Sequence, residues 1–373
     1  MPQVLAAAKN ALRAGRDHLL YKAKRAAIER DWKARFRRIY SLHPEYRTPA
    51  QPELERQHAA YWKRFGKVRL DTLRVCYNIA HKGDYRIVPE EIQASTLERC
   101  LNAGIFPQLL GHKGFYERLY GSIFPHVFFQ CLEGLVVGSD LRPIDASALA
   151  ALLKRLPYPV VFKPSIDSSG GRGLVFPRDA EELSALLGTQ PNFVVQETLL
   201  QHPFFSDYNP SCLNTLRVYV YRSVRDESYH VLNVTARFGR GGSLDNETAG
   251  GIVASVDSEG RFRGYALDKY GEKFIAHPDS GLPFEQSRQI PKYADLIECA
   301  THLAASIPLL RLIGFDFCLQ QDLNWRCIEI NSVSSTIRFA QYHGEPFFGP
   351  FTDEVIEYCL RHPHFDRVTS MAY

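Results

Sequence analysis

One stretch constrains this 373-residue chain most: Ile313-Gly-Phe-Asp316-Phe-Cys-Leu-Gln-Gln-Asp-Leu-Asn-Trp-Arg-Cys-Ile-Glu329-Ile-Asn331. Ile313, Phe315, Phe317 and Leu319 alternate with Gly314, Asp316 and Cys318, the two-residue period of a strand with one apolar face. In the second run Ile328 and Ile330 face one way and Cys327, Glu329 and Asn331 the other. The polar Gln321-Asp-Leu-Asn324 between them reads as the turn of a hairpin. With a two-residue loop at Asp322-Leu323, residues whose numbers add to 645 stand opposite each other. Asp316 then faces Glu329, with Cβ atoms roughly 5 Å apart. A slip of one residue mixes the two faces and is rejected, while a slip of two keeps them and stays open. Opposed carboxylates repel, more so when partly buried, and a cation removes that penalty. The oxygen donors Asp316, Glu329 and Asn331 suit Mg²⁺, which keeps water and phosphate oxygens as its other ligands. The competing reading is a solvated hairpin edge; the apolar flanks favour a central sheet.

From about residue 145 the chain alternates helix and strand. Asp145 to Leu156 reads as a helix, with Asp145 or Ser147 as its cap. Pro157-Tyr-Pro breaks it. Strands are expected at Val160–Lys163, Leu174–Phe176, Phe193–Glu197, Leu216–Tyr221 and Tyr229–Arg237, with a helix over Ala180–Leu187. Between the first two strands lies Ser169-Gly170-Gly171-Arg172-Gly173, where three glycines let backbone N–H groups converge on an anion. Lys163 closes the preceding strand, within reach of a phosphate. The loop lacks the P-loop pattern and does not open a helix, so neither a P-loop nor a dinucleotide fingerprint applies. A plain hairpin tip is the bland alternative.

In their order and spacing these pieces resemble the ATP-grasp superfamily, and in detail its sugar-transfer-associated family, over residues from about 60 to about 350. The resemblance implies an α+β, ATP-grasp fold: two α+β subdomains enclosing ATP, preceded by an N-terminal helical region. The expected divisions are 1–110 for that region, 111–195 for the small subdomain with the Gly-rich loop, and 196–373 for the large one with the metal site. Lys163 and, in Leu110-Gly-His-Lys113-Gly, Lys113 resemble the family's two phosphate-binding lysines. Ser169, Gly170, Gly171 and Gly173 resemble its phosphate loop, and Gln196, Glu197 and Leu199 the hinge at adenine. Arg217, after Asn214-Thr215, is similar to the arginine aimed at the transferred phosphate. Asp316, Glu329 and Asn331 match the metal triad, and His202 and Asp245-Asn246 also fit the pattern.

What the resemblance implies is an ATP-dependent carboxylate–amine, or carboxylate–thiol, ligase. It would act through an acyl phosphate with Mg²⁺ (Mn²⁺ as the alternative metal), in surface polysaccharide or glycoconjugate biosynthesis. Lys163, Arg217 and Arg338 are then the catalytic candidates, and Arg240, Asn246 and Arg338 the candidates for holding the acceptor, because arginine forks suit carboxylates. Two alternatives stand beside it: a kinase of the same fold acting on a sugar or polyol hydroxyl, and an inactive scaffold of a glycan-assembly complex.

Residues 1–40 carry eleven Lys or Arg against three Asp or Glu, so the formal charge of +4 is +8 there and −4 over the rest. Ile28, Trp32, Phe36 and Ile39 mark one helical face, and Leu5, Leu12 and Leu19 continue a seam at seven-residue steps. The favoured reading is a helical arm packed on the body; the sharper one is a basic helix on an anionic membrane surface. The −4 body offers nucleic acid no basic continuation, and none is expected as a partner. Eight scattered cysteines without Cys-x-x-Cys indicate reduced thiols and no zinc site. With no signal-peptide pattern and no membrane-length apolar run, a cytoplasmic location is expected, with peripheral contact at the inner membrane face through residues 1–40.

Overall fold

The computed structural model describes residues 2–104, 110–166, 171–242, 244–285 and 287–363. Strands β1 (Val127–Leu132), β2 (Leu135–Gly138), β3 (Val160–Pro164) and β4 (Phe193–Glu197) form an antiparallel sheet in the order β2-β1-β4-β3. The helices Ala146–Leu153 and Ala180–Leu186 pack on it, burying Leu153 and Leu183 against Phe129, Phe162 and Phe193. Asp145 caps the first of these, its carboxylate accepting from the Ala148 N–H at 2.8 Å, as its sequence position indicated.

The larger sheet has seven strands: β5 (Thr215–Arg222), β6 (Tyr229–Phe238), β7 (Ile252–Val256), β8 (Phe262–Leu267), β9 (Lys273–Phe274), β10 (Leu312–Leu319) and β11 (Trp325–Asn331). Their order is β11-β10-β5-β6-β7-β8-β9, again antiparallel throughout. One face buries Leu216, Val218, Ile313, Phe315 and Phe317 against Leu296, Ala300 and Leu303 of the helix Tyr293–Ala305. On the other face Tyr219 and Tyr221 meet Trp62, Leu97 and Ile356 from the helical elements around the sheet. The strands are apolar on both faces because both are covered at that end.

Three expectations need correction. The carboxylate hairpin is not central: β11 is an edge strand, covered by the segment 122–124 through Cys327 N–H to Ile123 O at 2.8 Å. Leu174–Phe176 is not a strand, since Val175 makes only an isolated bridge to Phe162; Gly171 and Gly173, at φ +73° and +76°, turn the chain just before it. The division at 195/196 would cut β4, which runs to Glu197 before the chain crosses to the large sheet.

The first helix runs unbroken over Pro2–Leu42. Trp32, Phe36 and Ile39 are buried against Leu73, Cys76 and Ile79 of the helix Asp71–Ala80, beside Val253 and Leu267 of the large sheet. The seam toward the N-terminus is different: Leu12 and Leu19 are exposed, and the side chain of Leu5 lies outside the described residues.

Residues 88–102 stitch the helical region to the carboxylate hairpin. The Asn102 amide donates to Leu312 O at 2.6 Å and Ser332 O at 2.8 Å, and accepts from the Leu312 N–H at 3.0 Å. Glu98 accepts from the N–H groups of Ser334 and Ser335 at 2.8 and 2.9 Å, and Glu90 from that of Ile337 at 3.0 Å. Backbone groups that leave the sheet after Asn331 thereby find partners in the interior.

Beside this clamp, burial pushes the Glu91 carboxyl up to about 7 against the weaker pull of backbone N–H groups and Arg69. A carboxyl whose pKa is raised on folding contributes stability that is fully present below its unfolded pKa and is lost as pH climbs through the folded value. Wild-type protein is therefore expected to lose stability between pH 5 and pH 8. Glu91→Gln should reduce that loss by about 2 kcal/mol, from a shift of roughly 1.4 kcal/mol per pH unit. Urea unfolding at both pH values measures it; parallel losses in the two proteins would contradict the assignment.

Candidate functional site

The site begins at the hairpin. Gly314 pairs with Asn331, Phe315 with Ile330 and Asp316 with Glu329, the register in which the two carboxylates oppose each other. The route to it differs from the simple loop. Gln320 N–H bonds Asn324 O, which closes a three-residue turn with Leu323 at φ +64°, and Phe317 pairs with Cys327, one residue out of the 645 register. A bulge at Ile328 then restores the register at Glu329. The bulge also exchanges faces. Cys327 joins Trp325 and Ile330 in the apolar core, while Ile328 turns to the cleft beside Glu329.

On its other side β10 pairs with β5, which sets Arg217 directly across from Asp316. The guanidinium grips both oxygens of the carboxylate: Nε reaches Oδ1, and Nη2 reaches Oδ2 at 2.9 Å. Arg237, near the end of β6, adds Nη1 to Oδ2 at 3.0 Å, and the Asn331 amide lies 3.4 Å from the same oxygen. Burial alone would raise the Asp316 pKa, but Arg217 and Arg237 outweigh it and hold the carboxyl below its ordinary value. Asp245 lies in the same buried group, bonded to the Thr215 hydroxyl. Burial raises its pKa against the pull of Arg237. Arg237 thus stands at the end of the strand expected over Tyr229–Arg237 and joins a buried ion network there.

The two lysines meet this group from the smaller sheet. Lys113, in the turn Lys113–Phe115, is buried with Nζ 3.1 Å from Glu329 Oε1. Lys163 stands on β3, where desolvation, reinforced by Lys113, lowers its pKa to about 8. The loop after β3 reaches across the cleft: a Cβ at Gly171 would stand 2.4 Å from Leu244, and its φ of +73° also favours glycine. Ser169 and Gly170 lie outside the described residues. Together the two sheets enclose a cavity of about 570 Å³, a volume usual for a small-molecule site. Lys113, Lys163 and Arg172 line it on one side, Asp316 and Glu329 on another, and Gln196, Glu197 and Leu199 at the crossing between sheets.

Some expected residues lie elsewhere or carry local work. The Glu197 carboxylate accepts from the His126 N–H at 2.8 Å. His202 caps the short helix Pro203–Ser206. Asn246 lines the cavity and caps the turn Glu247–Ala249. Arg240 is outside the cavity lining, bonded to Gly250 O at 2.7 Å and 3.3 Å from Asp268. Arg338 is also outside it, buried between Trp32 and Phe339 with Nη2 3.3 Å from Lys269 O. The structure therefore joins Lys113, Lys163, Asp316, Glu329 and Asn246 in one cleft and leaves the two acceptor arginines apart from it.

Among the described residues no group of three or more His, Cys, Asp or Glu is placed to hold a metal ion. The proposed set has two carboxylates and an amide, so phosphate oxygens would have to complete it. By donor type it fits a hard dication. By geometry Glu329 is its accessible member, with about a third of its side chain exposed, while the oxygens of Asp316 are engaged by arginine and amide N–H groups.

Residues 180–348 match the family described as Sugar-transfer associated ATP-grasp. The matched span, somewhat under half of the chain, contains Arg217, Asp316, Glu329 and Asn331 and excludes Lys113 and Lys163. No curated protein matches the chain. Among solved structures, an N5-carboxyaminoimidazole synthetase from Staphylococcus aureus complexed with ADP is 13% identical at a TM-score of 0.39, covering 64% of this chain and 50% of its own. The VanG D-Ala:D-Ser ligase from Enterococcus faecalis gives 14%, 0.40, 69% and 64%. A biotin carboxylase from Campylobacter jejuni gives 14%, 0.41, 70% and 48%. The chain spans about half the length of the carboxyaminoimidazole synthetases it resembles.

Proposed function

We propose that this chain, related to the sugar-transfer associated ATP-grasp family over residues 180–348, is an ATP-dependent ligase that joins a carboxylate to an amine or thiol in glycan biosynthesis. The observation that carries the reading is the cleft between the two sheets. Lys163, Arg172 and Lys113, the last paired with Glu329, line the same cavity of about 570 Å³ as the opposed carboxylate pair. That is the arrangement needed to hold a triphosphate by charge from one side and through a dication from the other.

Lys113 and Lys163 would hold phosphate oxygens, with the loop at Gly171 and Gly173 above them. Gln196, Glu197 and Leu199 would meet the base. Glu329 and Asn331, with Asp316, would hold Mg²⁺, which when bound neutralises charge on the transferring phosphate. Arg217 serves this site by fixing Asp316. The substrate carboxylate takes the terminal phosphoryl group of ATP and releases ADP; the amine or thiol then attacks the acyl phosphate and releases phosphate. Closure of the Gly-rich loop would keep water from the acyl phosphate. Asn246, on the cavity wall, is the first candidate for the acceptor end; Arg240 and Arg338 would take part only if they left their present partners.

The test measures ADP and phosphate together. Uronic acids are offered with amino acids or other amines, each component omitted in turn. A ligase releases ADP and phosphate in equal amounts, and only with both acceptors present. ADP formed without phosphate, with a hydroxyl acceptor alone, would establish the kinase instead and overturn the proposal.

A further inference from the structure

The helix Pro2–Leu42 has two unlike halves. From Tyr21 onward it is tied to the body: the Tyr21 hydroxyl is 3.4 Å from that of Thr96, and Trp32, Phe36 and Ile39 are buried. Before Tyr21 the large apolar side chains that are described point into water. Leu12 is 75% exposed, Leu19 68% and Leu20 45%. Leu12 is the most exposed large hydrophobic residue among those described. Leu12, Leu19 and Leu20 therefore lie on a stretch of helix that precedes the packed turns, Leu12 about 14 Å along the axis from Tyr21. Helices of this length are marginal in water unless an apolar face is covered by something.

The sequence of the extension states the chemistry of that cover. Leu12 and Leu19, seven residues apart, lie within about 20° of each other around the axis, and Leu20 stands beside them. Residues 11–24 carry four Lys or Arg and a single acid, Asp17. Arg16 lies between the two leucines along the helix and Lys22 follows them; long cationic side chains in such places reach from an apolar interface to charged headgroups. A coiled coil between two copies fits less well. With Leu5, Leu12 and Leu19 as one heptad position, the companion positions are Ala8, Gly15 and Lys22, which offer no apolar seam. No helix of the described residues is long and apolar enough to cross a membrane, so the helix would lie on the surface.

We propose that residues 11–24 dock the protein on an anionic lipid surface, the leucines entering the interface and the basic side chains meeting acidic headgroups. This is independent of the ligase reading, because it requires neither nucleotide nor acceptor. The experiment is cosedimentation of the full chain with vesicles of phosphatidylcholine alone, or with one quarter phosphatidylglycerol. Binding should be at least tenfold tighter to the anionic vesicles and should fall severalfold in 0.5 M NaCl. It should also be lost in the double variant Leu12→Glu, Leu19→Glu. Those side chains are exposed, so the thermal melt of the variant should match wild type and loss of binding would not reflect misfolding. Equal binding of wild type and double variant would overturn the proposal. So would absence of vesicle binding in a wild-type protein that sediments as a dimer and becomes monomeric in the variant, which would assign the leucines to contact between copies.

Discussion

Asp316→Ala is expected to destabilise the protein by about 3–5 kcal/mol, the cost usual for removing one partner of a buried ion pair. Asp316 is 3% exposed, and it receives two N–H groups of Arg217 and one of Arg237, both arginines themselves largely buried. Alanine would leave Arg217 in the interior of the sheet without its anion and Arg237 with Asp245 alone. A domain stable by about 5–15 kcal/mol has little to spare for such a loss. Asp316→Asn keeps an acceptor oxygen and the side-chain volume, so its loss should be smaller. Urea midpoints of the two variants, with the slope monitored for two-state behaviour, read the difference. An alanine variant within 1 kcal/mol of wild type would mean that Arg217 and Arg237 find other partners or water, and that Asp316 is not what holds them.

This structural duty of Asp316 was not legible in the sequence. The hairpin was, because β10 and β11 are neighbours along the chain and their alternation fixes which residues share a face. Even there the agreement at Asp316 and Glu329 rests on two deviations that cancel: a three-residue turn through Leu323 and a bulge at Ile328. Neither leaves a clear mark in the residue pattern, and the cost of missing them was the face of Cys327 and Ile328. Arg217 is 99 residues from Asp316 in sequence. Which strand lies beside β10 is decided by the packing of the whole sheet, so no local period could show that the arginine would meet a carboxylate and not a phosphate. Glu98 and Asn102 were missed for the same reason. They are ordinary helix-region polar residues until the region folds over the end of the hairpin, where their carboxylate and amide replace a missing strand for Leu312, Ser334 and Ser335. The N-terminal helix was half legible: its buried face follows from Ile28, Trp32, Phe36 and Ile39, but the sequence alone does not say where the body ends and the extension begins.

Glu329→Gln should give the opposite outcome to Asp316→Ala: a folded protein that has lost its chemistry. Glu329 is exposed along about a third of its side chain, and its ion pair with Lys113 opens onto the cavity. The amide removes like-charge opposition to Asp316 across the strand pair but leaves the buried Lys113 without its carboxylate, so the unfolding free energy should fall by less than in Asp316→Ala, by about 1–2 kcal/mol. Turnover is another matter under the proposed function. If Glu329 is the accessible member of the metal set, the neutral amide withdraws the charge that holds the dication against the phosphates. ATP turnover at the Mg²⁺ concentration that saturates wild type should then fall by about 10²–10³, the size usual for loss of one preorganised charge-stabilising group. Half-saturation should also need more Mg²⁺. Raising Mg²⁺ should recover part of the loss in Glu329→Gln, whereas Lys113→Met, which removes the lysine and leaves the carboxylate, should show no such recovery. Turnover within twofold of wild type in Glu329→Gln would sink the metal assignment, since Glu329 is the carboxylate paired with Asp316 across the strands on the cavity wall.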